Sequence, residues 1–234
     1  MSDALAPTPS DAQAITTDNS AAQVIGQLKQ DILSGHFKPG EKLRMNTLKA
    51  RYQVGVSPLR EALSQLLVEQ LVVVANQRGF TVHPISKAEM IDIYLTRAHI
   101  EQLCVELAIE HGDDHWEAGI IACAHSMRKY SDSLERDPQE WERRHQAFHT
   151  AIASGCQSPT LLHVRRSLYE KASRYRNLWL QDNMLQADVF DANDKEHEAL
   201  IQALIKRDTE RAKSLIKHHL LGPSRLLRQS VNFD

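Results

Sequence analysis

Two histidines, His145 and His149, stand four residues apart in a predicted helix over residues 141–154. Side chains at this spacing lie on one face of a helix, so both imidazoles can bind the same metal ion. The chain has 12 histidines among 234 residues, and chance alone then gives about 0.6 such pairs. The pair therefore needs further ligands. His197 and His219 are candidates on two later helices, although sequence spacing cannot show that they converge.

A metal bound by histidines is compatible with three functions. In a metal-dependent hydrolase, His145, His149 and His197 would activate water, but no general base is marked beside them. In a binding protein, the metal would either stabilise the fold or hold a ligand. Arg97 is relevant to a metal that holds a ligand. It lies on the apolar inward face of a predicted helix, where an unpaired cation is costly. It either pairs with Glu101 one turn later or binds the carboxylate of an effector.

The elements that hold these residues form an all-α bundle. Apolar residues recur at three- and four-residue intervals through most of residues 85–234, and the first long helix is predicted over residues 86–110. Glycine, proline, asparagine and aspartate interrupt the pattern at residues 112–113, 137–138, 155–159, 182–183 and 207–208. These interruptions predict about six helices and hardly a strand in a second domain over residues 85–230.

The preceding residues predict a winged helix-turn-helix, after an N-terminal helix over residues 21–34. Leu48 and Tyr52 mark one face of a short helix. The apolar face of the longer helix that follows is formed by Leu59, Ala62, Leu63, Leu66 and Leu67. Ser57 and Pro58 predict its start, as the capping residue and the first helical residue. Two such helices joined by a few residues form a tight corner.

A hairpin follows the longer helix, with strands predicted at residues 71–74 and 80–83 and a wing between them. The N-terminal part of the longer helix would then enter a DNA major groove. The side chains predicted to contact DNA are Asn46, Lys49, Ser57, Arg60, Ser64, Gln77 and Arg78. An ordinary helical corner beside a hairpin is the alternative interpretation.

The charge distribution supports a phosphate-binding first domain. Residues 20–84 contain 8 lysines and arginines against 4 acidic residues, whereas the whole chain has a net charge of −2. Residues 1–19 contain no basic residue and no apolar core, which predicts a disordered tail. No apolar run approaches the length of a membrane span. Three scattered cysteines, Cys104, Cys123 and Cys156, predict a reducing cytoplasm without disulfides.

Several segments of the first domain resemble the DNA-binding domain of GntR-type bacterial regulators. The matching segments are ILSG (32–35), PGEKL (39–43), PLREAL (58–63) and GFTV (79–82). The resemblance covers residues 21–84 and implies a winged helix-turn-helix that binds operator DNA. This chain has Gly55-Val56-Ser57 where the family usually has Ser-Arg-Thr, so base readout would depend on Ser57, Arg60 and the wing.

The second domain resembles FCD, the helical sensor domain in the FadR branch of this family. The resemblance rests on FH (148–149), SGCQSP (154–159), EHEAL (196–200) and HHL (218–220). It implies one divalent metal on an aspartate and three histidines, for which His149, His197 and His219 take the histidine places. His145 stands at the aspartate place. The resemblance also implies that Arg174 or Arg176 borders a ligand cavity, although solvated arginines are the alternative.

The histidine at the aspartate place has a physical consequence. Four neutral imidazoles leave the charge of a divalent ion uncompensated, which favours a bound carboxylate and suits Zn²⁺ or Ni²⁺ better than Mg²⁺ or Ca²⁺. Within the family, EKLRM (41–45) and RHQAFHTAI (144–152) resemble carbon-starvation-induced, glutarate-responsive repressors of enteric bacteria, which implies a short dicarboxylate effector. We therefore expect a mainly α-helical, cytoplasmic, homodimeric repressor that binds an inverted-repeat operator under the control of a metal and a small carboxylate.

Overall fold

The computed structural model describes residues 9–75, 79–131, 137–183 and 187–230. The chain folds as two compact units, Met1–Ile85 and Ser86–Asp234. None of the helices within the described residues is both long and apolar enough to cross a membrane. The described cysteines form no disulfide.

The first unit is a winged helix-turn-helix, as the sequence predicts. Its elements are α1 (Pro9–Leu33), β1 (Lys42–Leu43), α2 (Met45–Tyr52), α3 (Val56–Val68), β2 (Val72–Val74) and β3 (Phe80–Val82). The strands form an antiparallel sheet in the order β1-β3-β2. The sequence does not predict β1, because two residues are too few to show the alternation of a strand. Leu48, Leu59, Leu63 and Leu66 are fully buried in the core of this unit.

The start of α3 differs from the prediction. The helix begins at Val56 with Gly55 as its N-cap, so the assignment of Ser57 as the cap and Pro58 as the first residue is wrong. Gly55 already has the extended backbone of an N-cap, with φ −70° and ψ 179°. Pro58, two residues after the first helical residue Val56, is tolerated because N–H groups in the first turn have no acceptor within the helix. Leu67, predicted on the apolar face, is 37% exposed because it lies at the margin of that face.

The N-terminal end of the unit differs too. Helix α1 begins at Pro9 and not at residue 21, so part of the predicted tail is helical. A proline is favoured in the first helical turn, and no glycine or further proline interrupts residues 10–20. Residues 1–8 of the predicted tail and residues 76–78 of the wing lie outside the described residues. The predicted DNA contacts Gln77 and Arg78 fall in the second of these gaps.

The second unit is all-helical over its described residues, as predicted. Its helices are α4 (Lys87–His111), α5 (Asp114–Ser131), α6 (Pro138–Ser154), α7 (Pro159–Asn183), α8 (Ala187–Ile205) and α9 (Thr209–Ser230). Ser86 caps α4, since its hydroxyl accepts a hydrogen bond from the Glu89 N–H at 3.1 Å. Helix α4 packs against α6, α7 and α9, and α8 packs against α9. Polar side chains on these helices meet inside the bundle and form the site described next.

Candidate metal and effector site

Four histidines from three helices converge inside the second unit. His145 and His149 lie on α6, His197 on α8 and His219 on α9. The Nε2 atom of His149 lies 3.2 Å from Nε2 of His145 and 3.1 Å from Nε2 of His219, which in turn lies 3.3 Å from Nε2 of His197. One nitrogen from each ring lies within 4.8 Å of the other three. The bundle thus brings together all four histidines that the sequence singles out.

The environment of the cluster keeps the imidazoles neutral. All four residues are at most 5% exposed, and this burial is the main cause that lowers the pKa of each one. The positive charges of Arg176 and Arg97 lower the pKa of His145 further. A neutral imidazole is the form that binds a metal ion.

The geometry of the cluster fits a divalent ion. Nitrogen ligands at the usual 2.0–2.1 Å from Zn²⁺ in a tetrahedral arrangement are about 3.3 Å apart, which is close to the three Nε2 separations. In His219 the Nδ1–H donates to Oε2 of Glu196 at 2.8 Å, so the lone pair of Nε2 faces the other rings. Converging lone pairs repel one another unless a cation or a proton lies between them. The donor set, all nitrogen, is one that suits Zn²⁺ or Ni²⁺.

Arg97, on α4, is fully buried within electrostatic reach of the cluster. None of its three guanidinium nitrogens has a hydrogen-bond partner among the described residues. Its Nη2 atom lies 3.5 Å from Oε1 of Glu101, whereas the other oxygen of Glu101 accepts a 2.8 Å hydrogen bond from Arg165. The Arg97 guanidinium also lies over the ring of Tyr169 at 5.0 Å. The predicted pairing with Glu101 is therefore present but loose, and Arg97 keeps donors for another anion.

Two further arginines on α7 differ in their surroundings. Arg176 is ion-paired with Glu142, a buried residue of α6 whose Oε1 also accepts a hydrogen bond from the Tyr169 hydroxyl. Arg174 is buried as well and interacts electrostatically with Tyr175 and Glu89. Of the two arginines for which the resemblance implies a place at the ligand cavity, Arg176 is the one whose charge acts on the histidine cluster.

The sequence interpretation missed several residues of this site. Glu142 stands three residues before His145, so its proximity to the cluster has a local signal in the helical spacing. Glu196 has no such signal, because it contacts His219 from a different helix. Arg165 and Tyr169 have no such signal, because they reach the site from α7 through the packing of that helix against α4 and α6. Trp141 stacks on the ring of His145 with centroids 4.7 Å apart, again a consequence of four-residue spacing.

In the first unit, the described residues that are predicted to contact DNA are accessible to solvent. Every predicted contact that the structure describes is exposed: Asn46, Lys49, Ser57, Arg60 and Ser64. Arg51 on the same helix as Lys49 serves a structural role instead, since its guanidinium donates two hydrogen bonds to Asp31 at 2.7 and 2.9 Å. The hydroxyl of Tyr52 donates to the same carboxylate at 2.6 Å, so α2 is fixed to α1.

A winged helix-turn-helix and a helical domain with a buried polar cluster together have the architecture of a transcriptional regulator. The family model for bacterial regulatory proteins of the gntR family matches residues 20–82, and the model for the FCD domain matches residues 92–222. The chain therefore belongs to the GntR family of bacterial regulators and carries an FCD domain. The family resemblance inferred from the sequence is confirmed, and the hydrolase interpretation is set aside.

Individual relatives and solved structures agree with this assignment. The chain is 46% identical over 206 residues to the HTH-type transcriptional repressor GlaR of Escherichia coli K12, covering 87% of this chain and 94% of that protein. It is 33% identical over 207 residues to the uncharacterized regulator BphR of Paraburkholderia xenovorans LB400, covering 87% and 83%. The solved structure of E. coli McbR/YncC has the same fold, with a TM-score of 0.79, 22% identity and coverage of 91% and 99%.

Proposed function

We propose that this regulator is a repressor whose affinity for its operator is controlled by a small carboxylate bound at a metal centre in the second unit. The observation that carries the proposal is the convergence of four buried imidazoles beside Arg97, a buried cation whose guanidinium nitrogens have no hydrogen-bond partner among the described residues. Neutral nitrogen ligands favour a divalent transition metal, and a divalent metal beside an arginine favours an anion. Zn²⁺ and Ni²⁺ are the proposed metals.

The proposed effector is a short dicarboxylate such as glutarate. The resemblance to glutarate-responsive repressors supports this class, and so does the charge balance of the site. The ionic groups near the cluster, among the described residues, are Arg97, Arg165 and Arg176 against Glu101, Glu142 and Glu196. A divalent metal on four neutral histidines would add two positive charges to this balanced set. One carboxylate of the effector would bind the metal, and Arg97, with Arg176 and Arg174 as further candidates, would bind the other.

The first unit is proposed to bind the operator as a homodimer in the cytoplasm. Exposed Arg60 and Ser64 on α3, with Ser57 at its start, would face the major groove, and Asn46 and Lys49 on α2 would contact the backbone. Gln77 and Arg78 in the wing remain proposed contacts. A two-fold dimer reads two half-sites about one helical turn or a multiple apart, so selection from random DNA should yield an inverted repeat. A single unsymmetrical half-site bound by a monomer would contradict the dimer.

Replacement of Arg60 by alanine is expected to weaken operator binding tenfold or more. An arginine that contacts guanine through two hydrogen bonds contributes about 1–3 kcal/mol of discrimination between bases. Lys49→Ala is the control, because a residue that contacts only phosphate should lower the affinity for all sequences and reduce the salt dependence. Fluorescence anisotropy with the selected operator and a scrambled duplex measures both effects. Equal operator affinities of the wild type and Arg60→Ala would refute this mode of readout.

The effector proposal has a direct test that separates it from a purely structural metal. Glutarate, succinate and acetate are titrated into complexes of the operator with Zn²⁺-loaded and with chelator-treated protein. We expect a change in operator affinity with a dicarboxylate in the metal-loaded protein alone. If glutarate does not change the operator affinity of the metal-loaded protein, the metal only stabilises the fold.

A further inference from the structure

Two buried polar atoms beside the histidine cluster lack hydrogen-bond partners and face each other. They are Nδ1 of His145 and Oε2 of Glu142, which are 3.9 Å apart on adjacent turns of α6. Neither atom has a hydrogen-bond partner within the part of the chain that the structure describes. His145 and Glu142 are 3% and 8% exposed, and an unpaired carboxylate oxygen at that depth is costly. The arrangement therefore requires a physical reason.

The hydrogen bonds that Oε1, the second carboxylate oxygen, accepts fix the position of the Glu142 side chain. Its Oε1 accepts hydrogen bonds from the Tyr169 hydroxyl and from Arg176, both on α7. The guanidinium of Arg176 lies over the ring of Tyr169 at 5.3 Å, so the three side chains form one buried group. This group holds Oε2 on the side of His145 that is opposite to the Nε2 atom facing the other histidines.

We propose that Glu142 is a positioning residue for the metal, which supplies through His145 the negative charge that an aspartate ligand would otherwise supply directly. The inference depends on the metal site of the proposed function. A distance of 3.9 Å exceeds a direct hydrogen bond, and a small rotation of the imidazole or one bridging water joins the two groups. Hydrogen bonding of Nδ1–H to a carboxylate fixes the ring and makes Nε2 a stronger ligand. Glu196 performs the same task for His219, at 2.8 Å.

A glutamate behind His145 separates two effects that an aspartate ligand would combine: stronger binding of the metal and weaker attraction of anions by the metal. A carboxylate behind an imidazole strengthens the metal ligand, but it lies farther from the metal and cancels less of its charge toward a bound anion. The metal is thereby held firmly and still attracts a carboxylate. The two glutamates thus act on metal affinity and anion affinity in opposite directions.

The test replaces Glu142 by glutamine, which keeps the shape and removes the charge. Metal affinity is measured by competition for Zn²⁺ with a chelator, and anion affinity by calorimetry of glutarate with Zn²⁺-loaded protein. We expect Glu142→Gln to lower the affinity for Zn²⁺ about tenfold to a hundredfold, the range found for outer ligands of metal sites. The affinity for glutarate should rise, because Arg176 loses its partner and the metal loses a neighbouring negative charge.

Glu140→Gln is the matched control. Glu140 lies on the same helix, pairs with Arg143 and Arg144, and its replacement removes the same charge away from the cluster. Both affinities should stay within twofold of the wild type. Glu142→Asp keeps the charge and should keep the affinity for Zn²⁺ nearer to that of the wild type than Glu142→Gln does.

Two further variants test whether the negative charge of Glu142 can be moved to a metal ligand at position 145. His145→Asp places a carboxylate on the metal and should retain Zn²⁺ but bind glutarate more weakly. Adding Glu142→Gln to His145→Asp should return the affinity for glutarate toward that of the wild type. If Glu142→Gln alone fails to fold, the variant Glu142→Gln/Arg176→Met is compared with Arg176→Met, and the same loss of Zn²⁺ affinity, about tenfold to a hundredfold, is expected.

The outcomes are distinguishable. Unchanged Zn²⁺ affinity in Glu142→Gln, or a parallel loss of Zn²⁺ and glutarate affinity, would overturn the role of Glu142, since a purely structural role weakens both. Absence of Zn²⁺ and Ni²⁺ binding in the wild type would overturn the proposed function itself.

Discussion

His149→Ala is expected to lose both metal and effector binding. The Nε2 atom of His149 is within 3.2 Å of the Nε2 atoms of two other histidines, so its removal takes away a central ligand. Replacing the groups that only orient metal ligands costs about 10–100-fold in affinity, and loss of a ligand itself should exceed that range. Because the effector carboxylate is proposed to bind the metal, the affinity for glutarate should fall with the metal content.

The measurement combines metal analysis after gel filtration with thermal unfolding. At a Zn²⁺ concentration of about 100 times the dissociation constant, a bound metal adds roughly 2.7 kcal/mol to the stability of the folded state. We expect this gain in the wild type and its loss in His149→Ala. The control is His163→Ala, which removes an exposed histidine on α7. Full metal occupancy in His149→Ala would show that the four histidines do not form the metal site.

The Arg97→Met variant is expected to bind a dicarboxylate at least about thirtyfold more weakly than the wild type. Without effector, the same variant is expected to be as stable as the wild type or more stable. Loss of one partner of a buried ionic contact costs about 2–5 kcal/mol in binding. A buried cation without a hydrogen-bond partner has an uncompensated desolvation cost, and an apolar side chain of similar size removes that cost. Arg97 meets this condition, because Glu101 keeps its 2.8 Å hydrogen bond to Arg165.

Arg165→Met is the matched control for the second effect. It removes a buried arginine from the same carboxylate, but it takes away the close partner of Glu101 and should therefore destabilise the fold. Urea denaturation of both variants gives the stabilities, and calorimetry with glutarate gives the affinities. If Arg97→Met destabilises the protein as much as Arg165→Met and binds glutarate normally, Arg97 is a structural ion pair and takes no part in effector binding.

The secondary structure could largely be predicted because its signals are local. Leu48, Leu59 and Leu63 mark apolar faces by spacing alone, and the helical breaks at residues 112–113 and 155–159 contain glycine or proline. The two-residue strand β1 escaped prediction since it exists through pairing with β3, a contact between residues distant in the sequence. The capping prediction for Ser57 was wrong because Gly55 has the required backbone conformation two residues before the serine.

By itself, the sequence determined the two domains, the shared helix face of His145 and His149, and the i, i+4 relation of Arg97 to Glu101. These features depend on neighbouring residues along one helix, which the 3.6-residue period fixes. The tertiary structure alone decided that His197 and His219 meet this pair. It also decided that Arg165 takes the close contact with Glu101, so that the donors of Arg97 have no hydrogen-bond partner within the described part of the chain. These contacts join residues on different helices, whose relative positions are set by the packing of the whole bundle and by no pattern within a single helix.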